Sequence, residues 1–415
     1  MATASKSTKK TNLKALPTCN MKWLPDTVKK LDNELKSAGL EGKSIHDGWD
    51  CESASKISKA QYLLLGVLIM KRHKAKDFQN RILGSYVKTE YLERARTRLD
   101  SSPEFQQYLD AIPLSRLELV KNNWNGLTTF REILDLQLTQ RGDIYMLDPE
   151  EEKEYLSLTE SQDDQSTQGQ LAAQIGALTI SSGTDNTPSG KQKGPASKSS
   201  SDEREPLRIK EDEQLVNFAS CGYGKAIVNE DGELPVVSSP TRCILQFNLP
   251  DGKTKVFEAR TDGFDRWSLR GDSSMLAIAE TKRDGVNGTY SETTKVLMQM
   301  GAQMAAWISV QPLQRWEKMP NNDGKYMRSL MGQFSGQLFH MFAEIDEDYI
   351  QYIRNDRRGK GGKIPSMPIR MLGPYEIHVP RDMKMFAFIR NGYLHQLKEA
   401  RRSYNEGLVA KSSSG

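Results

Sequence analysis

The sequence predicts a mainly α protein: two helical domains joined by a disordered linker, the second domain carrying a small β-hairpin element in an α+β arrangement. Three observations lead there. Between Leu158 and Phe218 there is no aromatic residue, and Ser, Thr, Gln, Gly, Lys and Asp dominate, a composition that cannot bury a core. From Met21 to Leu158 apolar residues recur at helical spacing, beginning with Trp23, Val28, Leu31 and Leu35. Beyond the polar stretch, Met331, Phe334, Leu338, Met341, Phe342, Ile345, Tyr349 and Ile353 recur every three to four residues, as on the wide apolar face of a helix. A chain of 415 residues accommodates two such units at about 100–200 residues each.

Taken in order, residues 1–20 form a basic flexible arm and 21–158 an α-helical N-terminal domain. Within that domain, helices are expected at 58–76, 77–99, 103–111, 113–122 and 127–140, with breaks at Ser101-Ser102-Pro103 and Asn122-Asn123-Trp124-Asn125-Gly126. Residues 159–213 are the linker, whose one apolar patch, Leu171 to Leu178, reads as a weakly helical segment or a short docking helix. Residues 214–406 form the second, helix-rich domain, and 407–415 a flexible tail. This second domain opens with strand-like alternation. Pro250-Asp251-Gly252 separates two alternating runs, proline presetting one central φ and glycine tolerating a positive one, so a hairpin is predicted across 242–260. Glu230-Asp231-Gly232 is a second candidate turn, and helices return at 291–310, 325–354 and 383–406.

Composition narrows the setting. Cys19, Cys51, Cys221 and Cys243 are far apart, form no C-x-x-C pair and have no nearby histidine to complete a zinc set, which argues against structural zinc and against a disulfide scaffold. The N-terminus has no apolar signal region, and the longest apolar run, Tyr62 to Met70, is about half the ~20 residues a membrane helix needs. The expectation is a soluble protein of the cytoplasm or nucleus, with no membrane association.

Signatures of catalysis are missing. Gly222-Tyr223-Gly224-Lys225 falls short of a phosphate-binding loop, and Gly332-Gln333-Phe334-Ser335-Gly336 places its serine one residue too late for a nucleophile elbow. Five scattered histidines make no metalloprotease motif, and a lone His340 in an apolar run reads as a core residue. A non-enzymatic protein without cofactor or metal is therefore expected.

Clustered basic charge is the positive signal, since the net charge is only +4. Eleven Lys/Arg face three acids over 56–98, with Lys71, Arg72 and Arg81 among them, and twelve face four from Gln351 to Arg402. The second cluster combines Arg354, Arg357, Arg358, Lys360, Lys363, Arg370 and Arg381 with the rings of Tyr352 and Tyr375 and a loop loosened by Gly359, Gly361 and Gly362. Cations neutralise phosphates and aromatic rings offer stacking faces, so the mixture suits single-stranded nucleic acid. Solvation of helix faces and a nuclear transport signal are the other uses of such charge.

Arg328-Ser329-Leu330-Met331-Gly332-Gln333-Phe334-Ser335, followed by Tyr349-Ile350-Gln351-Tyr352-Ile353-Arg354, resembles a core segment of flexuous filamentous plant-virus coat proteins. The overall plan looks like that of RNA-encapsidating coat proteins and nucleoproteins, those of negative-strand viruses included. The resemblance implies that Ser335 and a downstream arginine line an RNA groove, the arginine being Arg354, Arg358 or Arg370. Met385-Phe386-Ala387-Phe388-Ile389-Arg390 resembles the late aromatic helix of that family, with Asp382 before it rather than an Asp within it. The function expected from sequence is thus a single-stranded RNA-binding structural protein that self-associates on RNA, found in host cytoplasm and virion, with a polymerase or other viral protein as a further partner. The alternative is a two-domain scaffold or polymerase cofactor that binds separate partners across the linker.

Overall fold

The structure, a computed structural model, describes residues 23–47, 53–70, 83–114, 118–119, 127, 129–141, 213–269, 272, 274–282, 290–318, 324–359 and 362–412. The expected arm 1–20, the linker up to residue 212 with its Leu171–Leu178 patch, and Lys71, Arg72, Arg81 and Lys360 lie outside the described residues, while Glu213, expected as the linker's last residue, begins a helix.

Gly66 marks the first departure from the helical expectation. Helix α1 (Val28–Ser37) is capped by Thr27, and α2 (Lys59–Leu64) opens with a capping box in which Ser58 and Gln61 each accept the other's backbone N–H. The helix expected to run on to Lys76 instead stops at Leu64. Gly66 takes φ 67°, where a Cβ would stand 2.2 Å from the Pro365 carbonyl oxygen, and the chain turns into strand β1 (Val67–Ile69). Helices α3 (Leu83–Tyr86), α4 (Thr89–Asp100), α5 (Pro103–Ala111) and α6 (Arg131–Arg141) follow, α5 falling where 103–111 was expected.

After the polar stretch comes α7 (Glu213–Asp231), a helix where the sequence suggested strand alternation, ended by Gly232 at φ 68°. Five strands succeed it: β2 (Val236–Ser239), β3 (Cys243–Asn248), β4 (Lys255–Thr261), β5 (Gly263–Trp267) and β6 (Met275–Lys282). Next are α8 (Tyr290–Val310), β7 (Tyr326–Phe334), β8 (Gln337–Ile345), α9 (Glu347–Asn355), β9 (Met367–Glu376) and the 33-residue α10 (Pro380–Ser412). The hairpin predicted around Pro250-Asp251-Gly252 is the antiparallel β3–β4 ribbon, and α8 and α10 occupy the expected helical stretches 291–310 and 383–406.

The fold class differs from the mainly α one expected from sequence. The molecule is built on a seven-stranded mixed sheet, in the order β1-β9-β8-β7-β6-β5-β2, beside the two-stranded ribbon, and is not mainly helical with one small hairpin. Pairings β1–β9 and β6–β7 are parallel, and α8 makes the crossover from β6 to β7. The largest error concerns 325–354, expected as one helix but folded as β7, β8 and α9. Ser335, at φ 51°, and Gly336 form a two-residue turn that pairs Phe334 with Gln337. Every residue of β7 is buried, because helices cover both faces of the sheet. A strand buried on both sides reads as continuous apolar sequence, and its Met and Phe positions then match a helical period by accident.

Two apolar clusters flank the sheet. Along β7, Tyr326, Leu330 and Phe334 enter the first with α1, α2, the β3–β4 ribbon and α8, while Met327 and Met331 enter the second with α3 to α7 and α10. Segments from both sides of the 159–213 stretch contribute to each cluster. Among the described residues, no helix is long and apolar enough to cross a membrane.

Candidate active site

The described members of the basic cluster engage mainly the protein itself. Arg354, in the last turn of α9, donates from Nε (3.0 Å) and Nη2 (2.7 Å) to the Ile308 carbonyl. Arg328 donates to the carbonyls of Trp307 and Gln311, each at 3.0 Å, and lies 4.3 Å from the Trp307 ring. Two arginines thus donate to the Trp307 and Ile308 carbonyls in the last turn of α8, where the helix dipole is negative. Arg358 donates to the Gly42 carbonyl and approaches Asp47, and Lys363 lies 3.3 Å from Asp32. Arg370 stands 3.4 Å from Glu344, beneath the Tyr86 ring. Arg357 and Arg381 are exposed.

Tyr352 and Tyr375, expected as stacking platforms, are buried at 0% and 1% exposure. The Tyr352 hydroxyl donates to Leu64 O at 2.6 Å and accepts from Ile45 N, while Tyr375 packs edge-on against His340 and Phe386. Neither ring has a free face for a base, and both serve the cores. His340 is likewise a core residue, its Nε2 3.1 Å from the Phe386 carbonyl oxygen, and burial holds its pKa down to about 3. Ser335 sits on the β7–β8 turn, where its backbone N–H donates to Lys282 O at 2.9 Å.

That last contact leads to a polar cluster at the carboxyl end of β6. Strand β6 is apolar until its carboxyl end, Glu280-Thr281-Lys282, which abuts the entrance to β5 and the inner face of α8. Asp262, between β4 and β5, accepts from Thr281 N at 2.9 Å and from Thr281 Oγ1 at 3.2 Å. Its carboxylate also lies 3.5 Å from Arg242 and 4.0 Å from Lys282. Glu280, 1% exposed, takes Lys282 Nζ at 2.6 Å and Gln299 Nε2 at 2.6 Å on Oε1, and Gln303 Nε2 on Oε2. Gln303 is fully buried, and its Oε1 has no hydrogen-bond partner.

The electrostatics follow from burial. Desolvation first, then the Asp262 charge, push the Glu280 carboxyl up to about 7, against the pull of Lys282 and Gln303. Two acids and a lysine held together at the carboxyl end of a strand that parallels its neighbour occupy the place where open sheets with helices on both faces bind ligands. Among the described residues no three His, Cys, Asp or Glu side chains converge as a metal cage, so the acids here are a pair. A pair completed by substrate oxygens is the coordination Mg2+ commonly takes.

Motif matching missed this site because its members lie on three elements. The legible signal was Glu280-Thr281-Lys282, charge ending the otherwise apolar run Met275-Leu276-Ala277-Ile278-Ala279. The chain matches no family model, and no curated protein or solved structure matches it, so the functional reading rests on this geometry.

Proposed function

We propose that the protein hydrolyses phosphodiester bonds of nucleic acid with the help of a divalent cation, using Asp262, Glu280 and Lys282. The observation that carries this reading is the pairing of buried Asp262 and Glu280 with half-buried Lys282 at the end of β6, with Gln299 and Gln303 fixing Glu280. Burial, and then the field of Asp262, raise the Glu280 pKa, and a bound cation would relieve that cost. Asp262 and Glu280 offer hard oxygen ligands that would hold such a cation, and when bound it would supply a more acidic water and charge neutralisation at a phosphoryl oxygen. Hydrolysis would form a bond from a water oxygen to phosphorus as the P–O bond to the leaving sugar oxygen breaks. The proton lost by water passes to solvent, and the leaving oxygen takes one from a second water. The Lys282 ammonium neutralises charge that gathers on the phosphoryl oxygens.

The test is cleavage of end-labelled DNA and RNA, and of bis(p-nitrophenyl) phosphate, with Mg2+ or Mn2+ and with chelator. Glu280→Gln, Asp262→Asn and Lys282→Ala should each lower the rate about a hundredfold or more, with the circular dichroism spectrum unchanged. Cleavage that persists in chelator, or that survives all three substitutions, would refute the proposal.

A second reading keeps the sequence expectation of RNA binding without cleavage, as in a coat protein or nucleoprotein. Exposed Arg357, Arg381 and Lys363, the last with 69% of its side chain accessible, support it. Binding of RNA with no cation-dependent cleavage would favour this reading over hydrolysis.

A further inference from the structure

The β3–β4 ribbon runs directly into the candidate active site. Its base is the Cys243/Thr261 pair, where Cys243 N donates to Thr261 Oγ1 at 3.3 Å, and Asp262 is the next residue. Arg242, the residue before β3, lies 3.5 Å from Asp262, and Gln303, which holds Glu280, also donates to the Arg260 carbonyl at 2.7 Å. The ribbon is thereby fixed to the same groups that fix the reactive carboxylates. Six residues of β3 span about 20 Å from the site at ~3.4 Å per residue.

Its two faces differ. Leu245, Phe247, Phe257 and Ala259 are buried in the first cluster, with the two phenylalanine rings stacked at 4.9 Å. The outer face presents Ile244, 60% exposed, opposite Arg260, and Gln246 opposite Glu258, with Lys253 and Lys255 toward the tip. Four cations between Arg242 and Arg260 stand against two acids. Of those acids, Asp251 is turned inward onto its own loop, accepting from Lys253 N and Thr254 N, and Glu258 pairs with Arg260 at 2.7 Å.

We propose that this ribbon docks in the major groove of double-stranded DNA and delivers a backbone phosphate to Asp262 and Glu280. The inference rests on the hydrolytic reading and names its substrate class. A two-stranded ribbon fits the roughly 12 Å major groove of B-form DNA, whereas the deep, narrow major groove of duplex RNA excludes it. Gln246 and Arg260 are side chains of the kind that read adenine and guanine edges, Ile244 suits a thymine methyl, and the lysines meet flanking phosphates.

Binding is measured by fluorescence anisotropy on the full chain carrying Glu280→Gln, without divalent cation. The probes are a labelled duplex DNA of about two helical turns, the same sequence as duplex RNA, and one strand alone. Duplex DNA should bind at least tenfold more tightly than either other probe. Replacing Gln246, Lys253 and Lys255 together by Ala should weaken it about tenfold and reduce the log–log salt slope by about 2. In an otherwise native background, the triple variant should hydrolyse bis(p-nitrophenyl) phosphate as before. Equal affinity for duplex RNA or for the single strand, or unchanged binding and slope in the triple variant, would overturn the ribbon proposal. Failure of bis(p-nitrophenyl) phosphate hydrolysis in the native protein would instead count against the Asp262–Glu280–Lys282 reading, since the binding assay needs no catalysis.

Discussion

The stretch from Tyr352 to Lys363 and the carboxyl end of β6 handle charge in opposite ways. The first has cations in plain sequence view, and the structure consumes much of that charge internally: Arg354 caps α8, Arg358 reaches Gly42 and Asp47, and Lys363 reaches Asp32. The second gathers just Asp262, Glu280, Lys282 and the neighbouring Arg242, yet buries both acids almost completely. Charge in water is screened and weakly informative, whereas charge withdrawn from water is costly and needs a reason. Density of charge in sequence therefore pointed to the less demanding of the two regions.

The comparison can be broken most decisively at Arg328. Arg328 Nε also lies 3.3 Å from the buried Glu317 carboxylate, so if cations near α8 are structural, Arg328→Ala strands that acid in the core and should cost about 3–5 kcal/mol, read as a fall in urea midpoint. A loss below about 1 kcal/mol would mean that these arginines are not structural.

Glu280→Gln should have the opposite sign. The folded-state pKa is raised from 4.5 to about 7, so the favourable contribution of the protonated form is complete below about pH 4.5 and is lost as pH rises through about 7. At pH 8 the buried carboxylate is a burden that glutamine removes. The variant should therefore be about 1–3 kcal/mol more stable than the native chain at pH 8 and nearly equal to it at pH 4.5. Equal stability at both pH values would show that Glu280 is not strained. The same linkage predicts that Mg2+ affinity, followed by calorimetry, declines as pH falls below about 7, because a proton and the cation compete for Glu280.

The exposed pair gives the smallest effect. Arg357→Ala with Lys363→Ala should change stability by less than about 0.5 kcal/mol. If RNA tracks that surface, the log–log salt slope for single-stranded RNA should shrink by roughly 0.7 per cation removed, and an unchanged slope would leave both residues as solvated charge. Shared cores add a qualitative test. Protease cleavage within 159–213 should leave two fragments that co-elute under native conditions, because both clusters draw on both halves of the chain. Separation of the fragments without denaturant would show two independent units.

Short-range chemistry was legible in the sequence. Proline and glycine around Asp251 specified the β3–β4 turn, Ser102 before Pro103 started α5, and the amphipathic runs at 291–310 and 383–406 became α8 and α10. Each depends on neighbours a few residues apart, so the local sequence contains the cause. What tertiary structure alone decided is sheet membership and the site. Whether Met331 belongs to a helix or to a doubly covered strand depends on what lies above and below it, namely Leu330 facing one cluster and Met331 the other. The meaning of Glu280 likewise depends on Asp262, Gln299 and Gln303, brought from β4–β5 and α8. A carboxyl's pKa is set by the water it has lost and by the charges around it. Neither is a property of its place along the chain.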